Sequence, residues 1–403
     1  MFIERSAAKI RRVRMLFVLV GFLPCAALVG WATVRHSAAH RDAMRREAER
    51  ALGMPVVIGS VDHVRPGAMR LRDCALVGPA GTSLLVLSEL EVEATADEVR
   101  LRAPAARCSP DALVALARIG RAWLGEPVRF PRAWIVEVDA WQWDVGGDGW
   151  QADEASMGAP GSRRFPLRIE CVAAGDARAV RVVRGAGDGA GDEIRVIATA
   201  GAPCRYEVRA ALREPVPWAV IRAILPPALA VSLPLGPAAT LTGRLDAASG
   251  DDRWSGSADG LVEGIDLEEL SAGRPYRLQG VLTAAVNRLQ WNDGRLEALE
   301  LTGSAGRGRI AQSLLGAMVS GCGCRPGPAF HSLAGEAMRP FDDLAVTMAL
   351  RADRLVVLAG PNRGGALARR QGLSLIDEPA APIPLERVIP MIGGEAGGIL
   401  TRF

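Results

Sequence analysis

Leu84-Leu-Val-Leu-Ser-Glu-Leu-Glu-Val-Glu93 is the stretch whose reading decides the fold. Leu84, Val86, Leu90 and Val92 fall on one face, and Glu89, Glu91 and Glu93 on the other. A period of two with one apolar face predicts a half-buried strand. The pattern recurs along the chain. Leu167, Ile169 and Cys171 alternate with Arg168 and Glu170; Ile194, Val196 and Ala198 with Glu193, Arg195 and Thr199. Tyr206, Val208, Ala210 and Leu212 alternate with Arg205, Glu207 and Arg209. Leu344, Val346, Met348 and Leu350 mark a late strand, followed by another from Leu355 to Ala359.

Between these runs stand turn residues. The chain holds 45 glycines and 26 prolines against 5% aromatic residues, a balance that suits many short strands joined by tight turns. Asn292-Asp293-Gly294 is a hairpin signal. Further strands are expected at Val56–Val61, Met69–Val77, Leu241–Leu245, Trp254–Leu261, Tyr276–Val286 and Arg295–Gly303. Arg129 to Asp144, with Trp134, Trp141 and Trp143, loses constant parity, which predicts a bulge. Helices are few. Ser109-Pro110-Asp111 supplies an N-cap, a first-turn proline and an acid for a helix through Leu124. Shorter helices are expected at Trp218–Leu225, Ile310–Val319 and Pro384–Met391.

Upstream of the strands, Met15 to Val34 is an uncharged run of 20 residues. As a helix it would be about 30 Å long, the hydrocarbon thickness of a bilayer. Met15, Leu16, Phe17, Leu23, Leu28 and Trp31 would face lipid, and Pro24 and Gly21 call for a local adjustment of the helix. The run is longer than the usual apolar h-region of a secretory leader, and Gly30-Trp31-Ala32 is a poor cleavage site, so a retained anchor is the better reading. Ser37 to Leu52 continues as a charged spacer helix closed by Gly53. The organisation is therefore a cytoplasmic basic tail (1–14), a transmembrane anchor (15–34), a juxtamembrane helix (35–53) and a β-rich extracytoplasmic body (54–403), with a sub-boundary near 214–238. The tight arginine cluster before the span favours a cytoplasmic N-terminus, although lysine and arginine are nearly balanced across it.

Chemical signatures are sparse. Net charge is +3 with acids interleaved throughout, so no nucleic-acid partner is expected. No phosphate-binding loop, nucleophile elbow, zinc-protease or dinucleotide fingerprint occurs, and neither a catalytic role nor a cofactor is expected. The four histidines are dispersed, and His36 and His40, four residues apart, lack the protease glutamate. Cys322 and Cys324 could form a strained disulfide or give two metal ligands, though no matching pair lies nearby. A one-sided sheet must cover its apolar face with a second sheet, helices or lipid chains, and the pattern alone leaves these open.

Several segments together resemble the AsmA-like proteins of bacterial envelopes, part of the repeating β-groove superfamily. They are the anchor and charged helix, Leu52 to Val61, Pro66-Gly67, Leu71 to Leu76, the strand Leu84 to Glu93, and Val128 to Gln151. Leu241 to Leu245, Gly260 to Leu267 and Asp293 to Leu296 look like that family's repeated strand-turn units. The resemblance implies a mainly β fold: a long antiparallel sheet curled into an open groove with a few short helices after one N-terminal transmembrane helix. It further implies a phospholipid or other acyl-chain lipid in that groove, or a part in envelope and outer-membrane assembly, from a single-pass position in the bacterial inner membrane with the body in the periplasm. The groove residues would be Val86, Leu90, Val92, Ile194, Val196, Tyr206, Val208, Leu344 and Val346. The alternative is a closed β-sandwich that holds a protein partner. On the order of 20 strands would extend a sheet roughly 100 Å. Its distal edge, expected near Leu344 to Ala359, would dock an envelope protein or a second copy.

Overall fold

The computed structural model describes residues 7–35, 37–78, 81–143, 164–185, 191–201, 205–224, 234–250, 253–274, 276–293, 295–331, 337–350, 355–360 and 365–392. The chain is mainly β; among the described residues 21 strands form one sheet and three a second. Val56–Val57 and Ser60–Arg65 lie end to end on Ala68–Val77. Ser83–Ala94 pairs with the far side of Ala68–Val77, and Glu98–Ala103 and Ala106–Cys108 share its outer flank. The chain then leaves as helix Pro110–Gly125, capped by the Ser109 hydroxyl, which accepts the Ala112 N–H at 3.3 Å. It returns as Ala133–Trp143, parallel to both short strands. Parallel neighbours need such a crossover, because a hairpin reverses direction. The sheet is therefore mixed at this one place, where an entirely antiparallel sheet was expected.

A long antiparallel meander follows. Its rows are Arg164–Ala174, Ala177–Arg184, Asp192–Thr199, Arg205–Pro217, Thr240–Gly250, Arg253–Asp266, Val281–Asn292, Arg295–Ala305 and Asp343–Leu350. Leu355–Ala359 and Ala366–Arg370 share the next row, and Leu373–Pro379 and Ile383–Pro384 the one after. Cys324–Pro326 ends the order on Leu373–Pro379. The helix Trp218–Ile224 stands outside the ladder, and Val216 still pairs with Leu241 across it. Because four rows each hold two short strands, the 21 strands make 17 rows. At about 4.8 Å per row the sheet is roughly 80 Å long before twist, shorter than one strand per row would give.

The alternation of Leu84 to Glu93 slips midway. Arg72 opposes Glu89 and Cys74 opposes Leu87, while Asp73 and Ser88 between them drop out of the register. Asp73 sits at φ 52°, the left-handed conformation that turns the strand over. Leu85 and Leu87 therefore join Leu90 in the core. Val86 stands between Leu85 and Leu87 in an unbroken ladder, opposite Ala75, and points to the other face. The inward orientation expected for Val86 is corrected accordingly.

The expected distal edge is also corrected. Asp343–Leu350 is paired on both flanks, by Arg295–Ala305 on one side and by the Leu355–Ala359 and Ala366–Arg370 row on the other. The far end of the sheet is instead made of Cys324–Pro326 and Ile383–Pro384. Proline has no N–H to offer an added strand, so Pro326 and Pro384 blunt this edge. A second, small sheet of Leu278–Gln279, Gly308–Ala311 and Met338–Phe341 stands at the same end. With helices Gln312–Cys322 and Leu385–Ile392 it builds the largest core, around Leu315, Leu367, Leu375 and Ile376.

At the N-terminal end, Arg11–Arg35 is long and apolar enough to cross a membrane, with a mean hydropathy of 2.2 over an 18-residue stretch of it. Met15, Leu16, Phe17, Leu23, Leu28 and Trp31 are all exposed. Val18–Phe22 forms a single π turn, in which the Leu23 N–H bonds to the Val18 carbonyl. Pro24 explains it: its ring crowds the carbonyl one turn back and it has no N–H, so the ladder widens just before it. Helix Ala38–Leu52 begins at the Ser37 cap and ends at Gly53, φ 72°. Instead of standing free as a spacer, it packs Ala48 and Leu52 onto Val56, Ile58, Val61, Leu71 and Cys74. Arg129 fastens its end, donating to the carbonyls of Ala51 at 3.1 Å and Arg50 at 3.2 Å.

Candidate apolar groove

The register aligns one inner row of apolar side chains across the sheet. Met69 opposes Val92, Val92 opposes Leu101, and Leu101 opposes Val136. The row continues through Ile169, Val182, Ile194 and Ala210. It runs on through Leu245, Ala258, Leu289, Leu299, Leu350 and Val356. The opposite face carries charge. Arg102 donates to Glu137 at 2.7 Å, and Glu137 lies 3.4 Å from Arg168, which reaches Glu170 at 2.8 Å. Arg181 links Glu170, at 3.5 Å, to Glu193, at 2.8 Å. The Arg102 hydrogen bond holds the Glu137 carboxyl below its ordinary pKa, and Arg181 does the same for Glu193.

Among the described residues three groups of helices cover parts of the inner face, and helix Trp218–Ile224, with Trp218 and Val220 buried, packs beside helix Pro110–Gly125. Helix Ala38–Leu52 lies over the first strands, with Leu90 and Val92 packed in that cluster. Helix Pro110–Gly125 covers the next rows: Ala112, Leu113 and Leu116 meet Val138, Trp141 and Leu167. Its far end brings Trp123 and Leu124, with Phe130, onto Ala198, Val196 and Tyr206. The C-terminal helices cover the last rows, where Leu344 and Val346 pack. Between these covers, Val208, Ala210, Leu212, Leu245, Ala247 and Ala258 belong to none of the clusters and are half-buried. With Leu289, opposite Ala258 and likewise half-buried outside the clusters, this strip spans the four rows from Arg205–Pro217 to Val281–Asn292, about 20 Å at strand spacing.

Of the sequence-expected residues, Ile194, Val196, Tyr206 and Val208 meet as one patch, with Val196 opposite Val208 and Tyr206 opposite Ala198. Leu90 and Val92 lie towards one end of the sheet and Leu344 and Val346 towards the other. The sequence pattern does not mark Ala247, Ala258 and Leu289, because small side chains and shifted registers hide the period.

A bulge shapes one margin of the strip. The ladder shifts between Leu212 and Val216, which frees backbone N–H groups. The buried Asp192 carboxylate accepts two of them, Arg213 at 2.5 Å and Glu214 at 3.0 Å, and pairs with Arg184. Beside the bulge, Ala211, Leu212, Arg213, Gly243, Arg244 and Asp259 line an open recess.

Reactive chemistry is muted. Burial pushes the Cys74 thiol up to about 11 and the Cys108 and Cys171 thiols to about 12. Cys324 rises to about 12, by burial and the neighbouring Cys322, and no disulfide joins that pair. Thiols so shifted are poor nucleophiles at neutral pH. Among the described residues no group of three or more His, Cys, Asp or Glu could hold a metal. No family model, no curated protein and no solved structure matches the chain.

Proposed function

We propose that this chain is a membrane-anchored carrier that seats the acyl chains of a membrane lipid on the uncovered strip of its inner face. The observation that carries the reading is the strip itself: an apolar surface, backed by a charged outer face, that joins none of the packed apolar clusters among the described residues, in a chain whose N-terminal helix can enter a bilayer. Its length of about 20 Å is of the order of one acyl chain, half of a bilayer core of roughly 30 Å. Covers at both ends make it a bounded cradle rather than a conduit running the whole sheet. The resemblance to AsmA-like proteins supports the same reading, and with it a bacterial inner-membrane position with the body outside the cytoplasm.

Photo-crosslinking in intact cells tests it. A photoreactive residue at Val208 or Ala247 should yield a lipid adduct, whereas one at the outer-face neighbours Arg209 or Asp246 should not. Equal yields at all four positions, or none at any, would refute the reading.

A further inference from the structure

The inner apolar row ends on a histidine at the edge nearest the anchor. His63 opposes Met69, whose other neighbour is Val92. From helix Ala38–Leu52, His40 reaches the same point, and the two Nε2 atoms are 2.9 Å apart. The ring centroids stand 5.1 Å apart. With the nitrogens this close, such a wide centroid separation means that the rings meet nitrogen to nitrogen rather than stack. This contact is a hydrogen bond only while one Nε2 carries a proton and the other keeps its lone pair. It survives with both rings neutral or with one imidazolium. With two, no acceptor remains and like charges face each other.

We propose that the His40–His63 contact is a proton-sensitive latch that holds the juxtamembrane helix over the edge of the sheet near neutral pH and lets go when both rings are protonated. Histidine is the side chain suited to such a change between about pH 5 and 8. The charged groups on the elements that carry the latch include these. On the helix, Arg41 donates to the Gly59 carbonyl at 3.3 Å, Asp42 follows it, and Glu49 accepts the Val56 N–H at 3.4 Å. On the strands, Arg72 and Asp62 pair at 3.5 Å, Arg65 pairs with Glu93, and Arg70 lies 3.2 Å from Glu89 and 2.8 Å from Glu91. None of these groups needs to titrate for the latch to open. Release uncovers Val56, Ile58, Val61 and Leu71, the apolar surface beneath the helix. The latch concerns the joint between anchor and body and holds whether or not the strip seats lipid.

The test uses the full chain in lipid nanodiscs. Hydrogen–deuterium exchange of segments 38–52 and 56–65 is compared at about pH 7.5 and 5.0, corrected for the intrinsic pH dependence of amide exchange. Both segments should lose protection about tenfold at the lower pH, while helix Gln312–Cys322 stays unchanged. In H40Q/H63Q the amide side chains can still bond but do not titrate, so protection should not depend on pH. The single variant H63Q should behave alike, since a lone His40 cannot form a doubly charged pair; it serves if the double variant does not fold. Unchanged protection of the native chain at both pH values overturns the proposal, as does the same acid loss in the glutamine variants.

Discussion

Arg178 lays its guanidinium 3.9 Å above the Trp123 ring and donates to the carbonyls of Trp123 and Phe130. The contact ties strand Ala177–Arg184 to the end of the crossover helix, and so closes one side of the uncovered strip. Burial lowers the Arg178 pKa, with no carboxylate among the causes. Its partners are the carbonyls and a π face, both suited to a guanidinium and poorly matched by an ammonium. R178M should leave both carbonyls without this donor and cost about 1–3 kcal/mol. R178K should recover only part of that loss. Urea unfolding of the detergent-solubilised chain measures both, and equal stability of R178M and the native protein would show the tie to be idle.

Asp192 answers the bulge next to the strip. It accepts two N–H groups freed between Leu212 and Val216 and pairs with Arg184, both side chains being largely buried. Removing one partner of a buried pair leaves the other charge uncompensated. D192A should therefore cost about 3–5 kcal/mol. D192N, whose amide oxygen can still accept, should cost less. The order of the two midpoints in urea is the check, and D192N falling below D192A would sink this account of the bulge.

The outer charge chain gives a pH dependence of known sign. The folded Glu137 pKa is lowered, first by the Arg102 hydrogen bond, and then by the charges of Arg102, Arg168 and Arg100, against the opposing effect of burial. A lowered carboxylate pKa stabilises the fold above the unfolded value, about 4.3 for glutamate, and that contribution is lost as pH falls through the folded value. The group is partly exposed, so the effect is screened and amounts to about 1 kcal/mol or less. E137Q should be less stable than the native chain at pH 7, and the gap should close below about pH 4. A gap that widens towards acid would reverse the sign.

Much of this architecture is legible in single strands and lost between them. Alternation at Ile194 to Ala198 and at Tyr206 to Ala210 carries over directly into the strand pairing, because no bulge interrupts the register over those residues. The run Leu84 to Glu93 misleads at Val86, because Asp73, at φ 52°, and Ser88 leave the ladder together, and Leu85 and Leu87 on one side of that break share the core with Leu90 and Val92 on the other. Strand pairing is less legible still. Leu344 to Ala359 reads as the end of the sheet, yet Cys324–Pro326, earlier in the chain, lies beyond it. A three-residue strand with a proline carries no period to read. The covers were invisible for another reason: Ala112, Leu113 and Leu116 mark an amphipathic helix, but nothing local says which rows it lies on. The strip is defined by where those covers stop, so no sequence window contains it.

Two neighbouring valines separate a packed sheet from an open one. Val196 and Val208 oppose each other on adjacent strands of the inner face. Val196 packs against the Trp123 and Phe130 cluster, whereas Val208 belongs to no cluster and lies in the strip. An unpaired carboxylate among apolar groups either costs several kcal/mol or must take up a proton. V196D should therefore unfold or strongly destabilise the chain. V208D should keep the fold, because its carboxylate can reach water along the open strip, with a cost of about 1 kcal/mol or less. It should also weaken any acyl-chain adduct formed at Ala247, opposite Val208 on the next strand. Unfolding midpoints and lipid adducts are read on the same two variants. If V208D is as unstable as V196D, the strip is a covered core and the carrier reading fails. If both variants fold and only V208D loses the adduct, the boundary of the open groove runs between these two residues.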